Sequence, residues 1–226
     1  MKILITGASG GIGAAAAQYF LDRGHEVHGM DTAQAVIQHE RYTHHIADVR
    51  DPGSFPAFAA EEMPEVLVQC AGVQDTGDDI EVNLKGVINV TERYAIGSDR
   101  IRSVVIVGSA SAHTGSEFPE YAASKGGILA YTKNAALRLA PRATCNSIDP
   151  GGVMTELNRC VMEDEALWQK IMELTPLKRW AEPEEIAEWI YFVGVTNRFM
   201  TGQNLLIDGG EAGDMHFVWP DLQSTF

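Results

Sequence analysis

Seven short apolar runs punctuate this chain, at residues 2–6, 25–31, 41–49, 65–72, 102–111, 143–152 and 202–210. Between most of them lies a segment with helical periodicity: 12–24, 54–63, 79–95, 119–140 and 182–194. Strand and helix in alternation leave few options. A helix between two strands lets them run parallel, and helices then cover both faces of the sheet. The fold class expected is α/β, a parallel sheet flanked by helices, in one domain spanning residues 1–226. With 45% hydrophobic residues the chain can fill such a core.

In open sheets of this kind ligands bind at the carboxyl ends of the strands. The first strand, "KILIT", runs into Gly7, Gly11 and Gly13 and then into a helix. Glycine permits a tight turn and a close approach of backbone to ligand. The free N–H groups of the following helix favour a pyrophosphate. A βα turn without a ligand is the plainer alternative. Asp31 ends the second strand, where a carboxylate can accept both ribose hydroxyls of an adenosine and repel a 2′-phosphate. Gly10 stands where a basic residue would be needed to hold that phosphate. Both features favour NAD over NADP. Asp48-Val49, after the third strand, suits either the adenine amino group or a helix N-cap.

In "YAASK", Tyr121 and Lys125 are spaced i, i+4 and share a helix face. An ammonium beside a phenol favours the phenolate, so such a tyrosine can move a proton at neutral pH. Ser109 ends the apolar strand "VVIV" and is placed to hold a substrate oxygen; Ser111 is the alternative.

With these pieces together the chain resembles the short-chain dehydrogenase/reductase family over essentially its whole length. The likeness rests on "TGASGGIG", Asp31, "ADV", "CAG", "VNLKG", "VGSAS", "YAASK", "NSIDPGGVMT" and "DGG". It implies a doubly wound, Rossmann-like fold and nicotinamide-dependent alcohol–ketone chemistry. The family's tetrad falls on Asn83, Ser109, Tyr121 and Lys125. Tyr121 would be the acid/base, Ser109 would orient the carbonyl, Lys125 would bind ribose hydroxyls, and Asn83 would hold a relay water. Cofactor contacts would fall on Gly7, Ser9, Gly11, Ile12, Gly13, Asp31, Asp48, Val49, Cys70, Ala71 and Gly72. Tyr121, Lys125, Pro150, Gly151, Val153 and Thr155 would complete them.

There are departures from the family pattern. Its Asn-Ala-Gly reads Cys70-Ala71-Gly72 here, and Cys70 reads as a buried filler rather than a reactive thiol. The short stretch between Asp31 and Asp48 implies that a helix flanking the cofactor is vestigial. The short interval from "CAG" to "VNLKG" is similar to bacterial hydroxysteroid dehydrogenases; "SASAH" is shared with them and with cyclic dihydrodiol enzymes.

Residues 153–180 read as an apolar substrate lid containing Met154, Leu157, Val161, Met162, Leu167, Trp168, Ile171 and Met172. The same stripe also suits simple packing. Glu156 and Arg159 read as substrate contacts or as a solvated pair. The substrate expected is a small secondary alcohol or ketone, apolar and cyclic, such as a hydroxysteroid. A dihydrodiol or polyol dehydrogenase is the alternative, as is an idle NAD-binding redox sensor. Small residues on the long helix (Ala122, Ala123, Gly126, Gly127, Ala130, Ala135) and an edge strand suggest a homo-oligomer, a tetramer. The aromatic stretch 215–226 suggests a cover for an active site.

Several classes are disfavoured. Acidic residues outnumber basic ones by 31 to 17, and a net charge of −14 offers no basic stripe for nucleic acid. Three cysteines without a CxxC pair suggest neither disulfides nor a metal site, and fit a reduced cytoplasm. No run approaches the ~20 apolar residues of a membrane helix, and Lys2 is followed by only three apolar residues before Thr6-Gly7, unlike a signal peptide.

Overall fold

All seven expected strands form, and they hydrogen-bond into one parallel sheet. The structure is a computed structural model that describes residues 1–116 and 118–213. The strands are β1 (Lys2–Thr6), β2 (Glu26–Asp31), β3 (Tyr42–Ile46), β4 (Val66–Gln69), β5 (Ser103–Val107), β6 (Thr144–Pro150) and β7 (Asn204–Ile207). Their spatial order is β3-β2-β1-β4-β5-β6-β7, with Ile3 opposite Val27 on one side and Val66 on the other. The chain builds outward from β1 to β3, then crosses back to lay β4 against the other side of β1. That reversal opens a crevice at the carboxyl ends of β1 and β4, the place where such sheets take ligands.

The helices are α1 (Gly11–Asp22), α2 (Val87–Thr91), α3 (Ser111–Thr114), α4 (Pro119–Leu139), α5 (Arg159–Met162), α6 (Glu165–Leu174) and α7 (Pro183–Tyr191). Every residue of β4 and β5 is buried, as expected for central strands covered on both faces. Successive strand residues point to opposite faces. Thus Ile3 and Ile5 join Phe20, Val68, Ile186 and Ile190 under α1 and α7. Leu4 joins Leu67, Tyr94, Ile106, Ile128 and Leu139 under α2 and α4. Gly24 ends α1 as expected: it takes φ +83° and its N–H bonds Leu21 O at 2.9 Å.

Three expectations are corrected. The helix expected over 54–63 is replaced by two 3₁₀ turns, Pro52–Ser54 and Ala60–Glu62. Phe55 is held extended at ψ 136°, the conformation favoured before a proline, here Pro56. The helix over 79–95 is built as α2 between π-helical turns, Ile80–Gly86 and Glu92–Ile96. The small residues of α4 are not one free face: Ala135 lies in the core, and Gly127 packs on the Leu84 side chain. Ala123 and Ala130 remain exposed.

Residues 32–41 contain no helix, in keeping with the short interval after Asp31. Among the described residues no helix is long and apolar enough to cross a membrane. The stretch 215–226 lies outside the described residues.

Candidate active site

The glycine turn between β1 and α1 is shaped by what it excludes. Gly7 takes φ +69°, and a Cβ there would lie 2.7 Å from Ala71 N. A Cβ on Gly13 would overlap Gly7 O and lie 2.7 Å from Gly7 C. The turn is thus pressed against the end of β4, where Cys70 N bonds Thr6 O at 3.1 Å and Ala71 N bonds Thr6 Oγ1 at 3.2 Å. Gly11 takes φ +47° and faces the Thr155 methyl group. Gly10 is the N-cap of α1 and offers no side-chain cap. The first turn of α1 therefore presents N–H groups that no side chain among the described residues caps, a cradle that suits a pyrophosphate.

Asp31 stands at the end of β2, beside that cradle. Its carboxylate accepts from Ser9 N and Ala33 N, each at 2.9 Å, and makes no ion pair among the described residues. These bonds fix the carboxylate at the rim, where ribose hydroxyls would meet it. A dinucleotide fits these residues.

Asp48 behaves differently. Its carboxylate accepts from the Arg50 guanidinium at 2.7 Å, and Arg50 reaches on to Asp78 at 2.8 Å. The guanidinium holds the Asp48 carboxyl below the usual range. The N-cap reading of Asp48 is corrected: Asp51 caps the first 3₁₀ turn through Gly53 N. The Val49 side chain is buried in the core against Gly86, and its carbonyl accepts from Asn89 Nδ2 at 3.1 Å.

The proposed tetrad gathers at the carboxyl ends of β4 and β5. Tyr121 and Lys125 share a face of α4, with Lys125 Nζ 5.6 Å from the Tyr121 ring centroid. Lys125 is buried, and its ammonium donates to Val107 O at 3.1 Å. Burial pulls its pKa down to about 8, opposed first by Asp149. Asn83 is fully buried within a π-helical turn, a rare geometry often found at functional sites. Its Oδ1 accepts from Val73 N at 2.8 Å; its Nδ2 donates to Val73 O at 2.9 Å and to Ser124 Oγ at 3.1 Å. Gly72 marks where Asn83 and Lys125 converge: a Cβ there would lie 3.2 Å from Asn83 Oδ1 and 3.6 Å from Lys125 Nζ. Ser109 is buried, and its Oγ accepts from Ser111 N at 3.2 Å.

Ser109, Ser111, Tyr121 and Lys125 line one cleft of about 730 Å³. Of the expected cofactor residues, Ile12, Cys70, Gly72, Pro150, Gly151, Val153 and Thr155 line it too. Gly7, Ser9, Gly11, Gly13, Asp31 and Ala71 belong to the glycine turn and its surroundings. Burial pushes the Cys70 thiol up to about 12, which makes it a neutral wall group.

Four residues expected in the lid, Leu157, Val161, Leu167 and Ile171, face the cleft; Met154, Met162, Trp168 and Met172 do not line it. Glu156 and Arg159 pair with each other in solvent, which favours the solvated-pair reading.

Sequence reasoning missed Val73, Gln74, Asp75 and Phe118 on the cleft wall, and did not single out Trp180 at the end of the 153–180 lid. Trp180 had a signal in "PGG". A Cβ on Gly152 would overlap its indole, so the second glycine of that turn admits the ring, which also packs edge-on against Trp168 at 5.0 Å.

Away from the cleft, Glu26, His28 and Glu62 bring ligand-type atoms within 4.8 Å, but the Lys2 ammonium sits on both carboxylates.

The family model described as enoyl-(acyl carrier protein) reductase matches residues 7–211. A 3-oxoacyl-(acyl-carrier-protein) reductase of Staphylococcus epidermidis is 29% identical over 239 residues, covering 92% of this chain and 97% of that protein. A glucose 1-dehydrogenase of Gluconobacter oxydans is 31% identical over 254 residues, covering 96% of this chain and 95% of that protein. The solved structure of 4-hydroxyisoleucine dehydrogenase complexed with NADH superposes with a TM-score of 0.84 at 26% identity, over 95% of this chain and 99% of that one.

Proposed function

The chain belongs to the short-chain dehydrogenase/reductase family, and we propose that it is an NAD-dependent enzyme interconverting a secondary alcohol and a ketone. One observation carries this reading: Ser109, Tyr121 and Lys125 open on a single cleft whose floor reaches the glycine turn. An idle dinucleotide-binding protein has no need of that convergence.

Nicotinamide, when bound, supplies the acceptor or donor of a hydride. The remaining steps belong to the chain. The Ser109 hydroxyl holds the substrate oxygen, and Tyr121 Oη takes the alcohol proton during oxidation or returns it during reduction. Lys125 has two effects in this reading: its ammonium favours the Tyr121 phenolate and would bind ribose hydroxyls. Asn83 clamps Val73 and so fixes the wall beside Lys125; in the same reading it holds the water through which a proton leaves. Asp31 selects NAD in this reading, because it is fixed by Ser9 and Ala33 and, among the described residues, pairs with no cation that would receive a 2′-phosphate.

The substrate we propose is apolar and ring-containing, with a hydroxysteroid as the leading example. Phe118, Leu157, Val161, Leu167, Ile171 and Leu174 give the cleft an apolar wall. Lys125 is the only Lys or Arg among the described lining residues, so a phosphorylated substrate finds no clamp. A sugar or other polyol is the second reading. Gln74, Asp75, Asn158 and Glu211 on the rim favour it, as does the likeness to a glucose 1-dehydrogenase.

Self-association into a homotetramer is part of the proposal, supported by exposed Trp189 and Phe192 beside one another and by exposed Leu206 on the edge strand β7. Three unpaired cysteines support a cytoplasmic setting.

The test is kcat/KM for NADH formation across a steroid, a cyclic diol, a sugar and a 3-hydroxyacyl thioester. A steroid or diol preference upholds the apolar reading. A sugar preference replaces it with the second, a thioester preference refutes both, and turnover of none of them on a protein that binds NADH would favour the redox sensor.

A further inference from the structure

Asp149 lies in β6, between β5 and the edge strand β7, and is fully buried. A carboxylate in that position is costly unless other groups compensate it. One oxygen is met by α3: His113 Nε2 lies 2.7 Å from Asp149 Oδ2. The other oxygen, Oδ1, has no hydrogen-bond partner among the described residues. It presses on Gly108, where a Cβ would overlap it and lie 3.0 Å from Asp149 Cγ. Backbone bonds close the same spot, from Gly108 N to Ile148 O at 2.8 Å and from Ala110 N to Pro150 O at 2.7 Å. Lys125 Nζ reaches this stretch too, through the carbonyl of Val107. The acid, the ammonium and Ser109 are therefore gathered around three consecutive residues, Val107, Gly108 and Ser109.

We propose that the His113–Asp149 pair is a positioning element of the catalytic centre, tying α3 to β6 against Gly108 and setting a buried carboxylate at the strand end that also holds the Lys125 ammonium. The role given to Lys125 rests on the function proposed above.

Lys125 is faced by Asp149 from β6, by Cys70 after β4, by Asp79 ahead of the first π-helical turn, and by Tyr121 on its own helix. The Cys70 thiol is neutral, because burial raises it to about 12. Asp79 spends its carboxylate on Asp75 N and Thr76 N, at 3.0 Å each. Asp149 is the largest influence raising Lys125 against the effect of burial. Asp149 itself is faced by His113, Ser147 and Lys125. Burial raises its pKa, and the His113 hydrogen bond is the strongest effect opposing that rise. Loss of His113 would let Asp149 take up a proton, withdrawing the charge from Lys125. Substitution of either partner should thus move Lys125 in the same direction.

The experiment is an NMR titration of the full chain with isotope-labelled lysine, from neutral to alkaline pH, the Lys125 signal being identified by its loss in Lys125→Met. Asp149→Asn and His113→Leu, which leaves no donor for Asp149 Oδ2, should each lower the Lys125 midpoint by about one pH unit. The alkaline fall in NADH affinity should move down with it. An unchanged midpoint in the folded variants would overturn the proposal, even if both melt at lower temperature, since a plain structural tether predicts melting without titration. If Asp149→Asn does not fold, His113→Leu decides, because the His113 ring it replaces is partly exposed. If the midpoints fall while no protein binds NADH, the pair stands as described and the dinucleotide reading of the cleft fails.

Discussion

Gly13→Ala adds one methyl group to α1, where alanine would ordinarily be welcome. In a helix interior that exchange favours folding by about 1 kcal/mol. Here the methyl has nowhere to go: it overlaps Gly7 O, lies 2.7 Å from Gly7 C and 3.3 Å from Cys70 Cβ. The first two obstacles are backbone, which no rotamer change can clear. Gly7 cannot withdraw, because its own Cβ direction is closed by Ala71 N at 2.7 Å. Overpacking of this kind costs about 1–3 kcal/mol, and a rigid backbone obstacle belongs at the upper end. For a chain of this size each kcal/mol moves Tm by about 2–4 °C. After the helix gain is subtracted, a fall of roughly 2–8 °C is expected. The shift of α1 away from Gly7 should also spoil the phosphate cradle and weaken NADH binding at least tenfold, about 1.4 kcal/mol. Gly10→Ala is the control in the same turn. Nothing lies within 4 Å of a Cβ there, and φ is an extended −169°, so its cost is that of an ordinary N-cap exchange, under about 1 kcal/mol. Thermal melts and fluorescence titration with NADH read both effects. If Gly13→Ala melts and binds like the parent, or Gly10→Ala is equally damaged, the packing argument for this turn is wrong.

Tyr121→Phe should cut kcat by about 10²–10⁴ while leaving NADH affinity nearly unchanged; retained turnover on a good substrate would remove Tyr121 as the proton carrier. Asp31→Ala should narrow the preference for NADH over NADPH in calorimetric titration, and a parent protein with no preference would defeat the reading of Asp31. Lys125→Met should raise Tm at neutral pH while weakening NADH binding. The unfolded chain keeps that proton up to 10.5 and the fold releases it near 8, so the buried ammonium costs stability below about pH 8. The cost is on the order of 3 kcal/mol as an upper bound, reduced by the loss of the bond to Val107 O. Between pH 8 and 10.5 the unfolded state binds more protons, parent stability rises, and the variant's advantage should shrink. A Tm below the parent's at neutral pH would contradict this.

The fold was legible because each strand needs only local information. "VVIV" and "VLVQ" are continuous apolar runs, and burial on both faces follows from that alone. The failed helix at 54–63 shows the limit of that logic. Its alanines and glutamates favour a helix, but Pro56 forces Phe55 out of helical dihedrals, and local composition lost to one backbone constraint. The π-helical turns around α2 had no visible signal. Ile80–Gly86 has ordinary helix periodicity, and its wider winding accompanies the clamp of Asn83 on Val73, a contact between residues ten apart.

At the site, the division is between groups that act through backbone and groups that act through distant neighbours. Gly7, Gly13 and Asp31 were readable, since a turn that admits no side chain and a carboxylate at a strand end are sequence-local facts. Asp48 was half-readable: its position is as expected, but Arg50 two residues on takes its carboxylate, and only the folded loop reveals that Asp78 shares the guanidinium. Asp149 was unreadable. In "NSIDPGG" it looks like an acid opening a turn, yet the chain buries it entirely, opposite a glycine 41 positions earlier and a histidine 36 positions earlier. Gly108 explains the exchange physically. A side chain there would fill the space Asp149 occupies, so glycine in "VGSAS" leaves room for a carboxylate beside Lys125. The residue that makes the acid possible and the residue that benefits from it are both in recognisable motifs; the acid is in the gap between them.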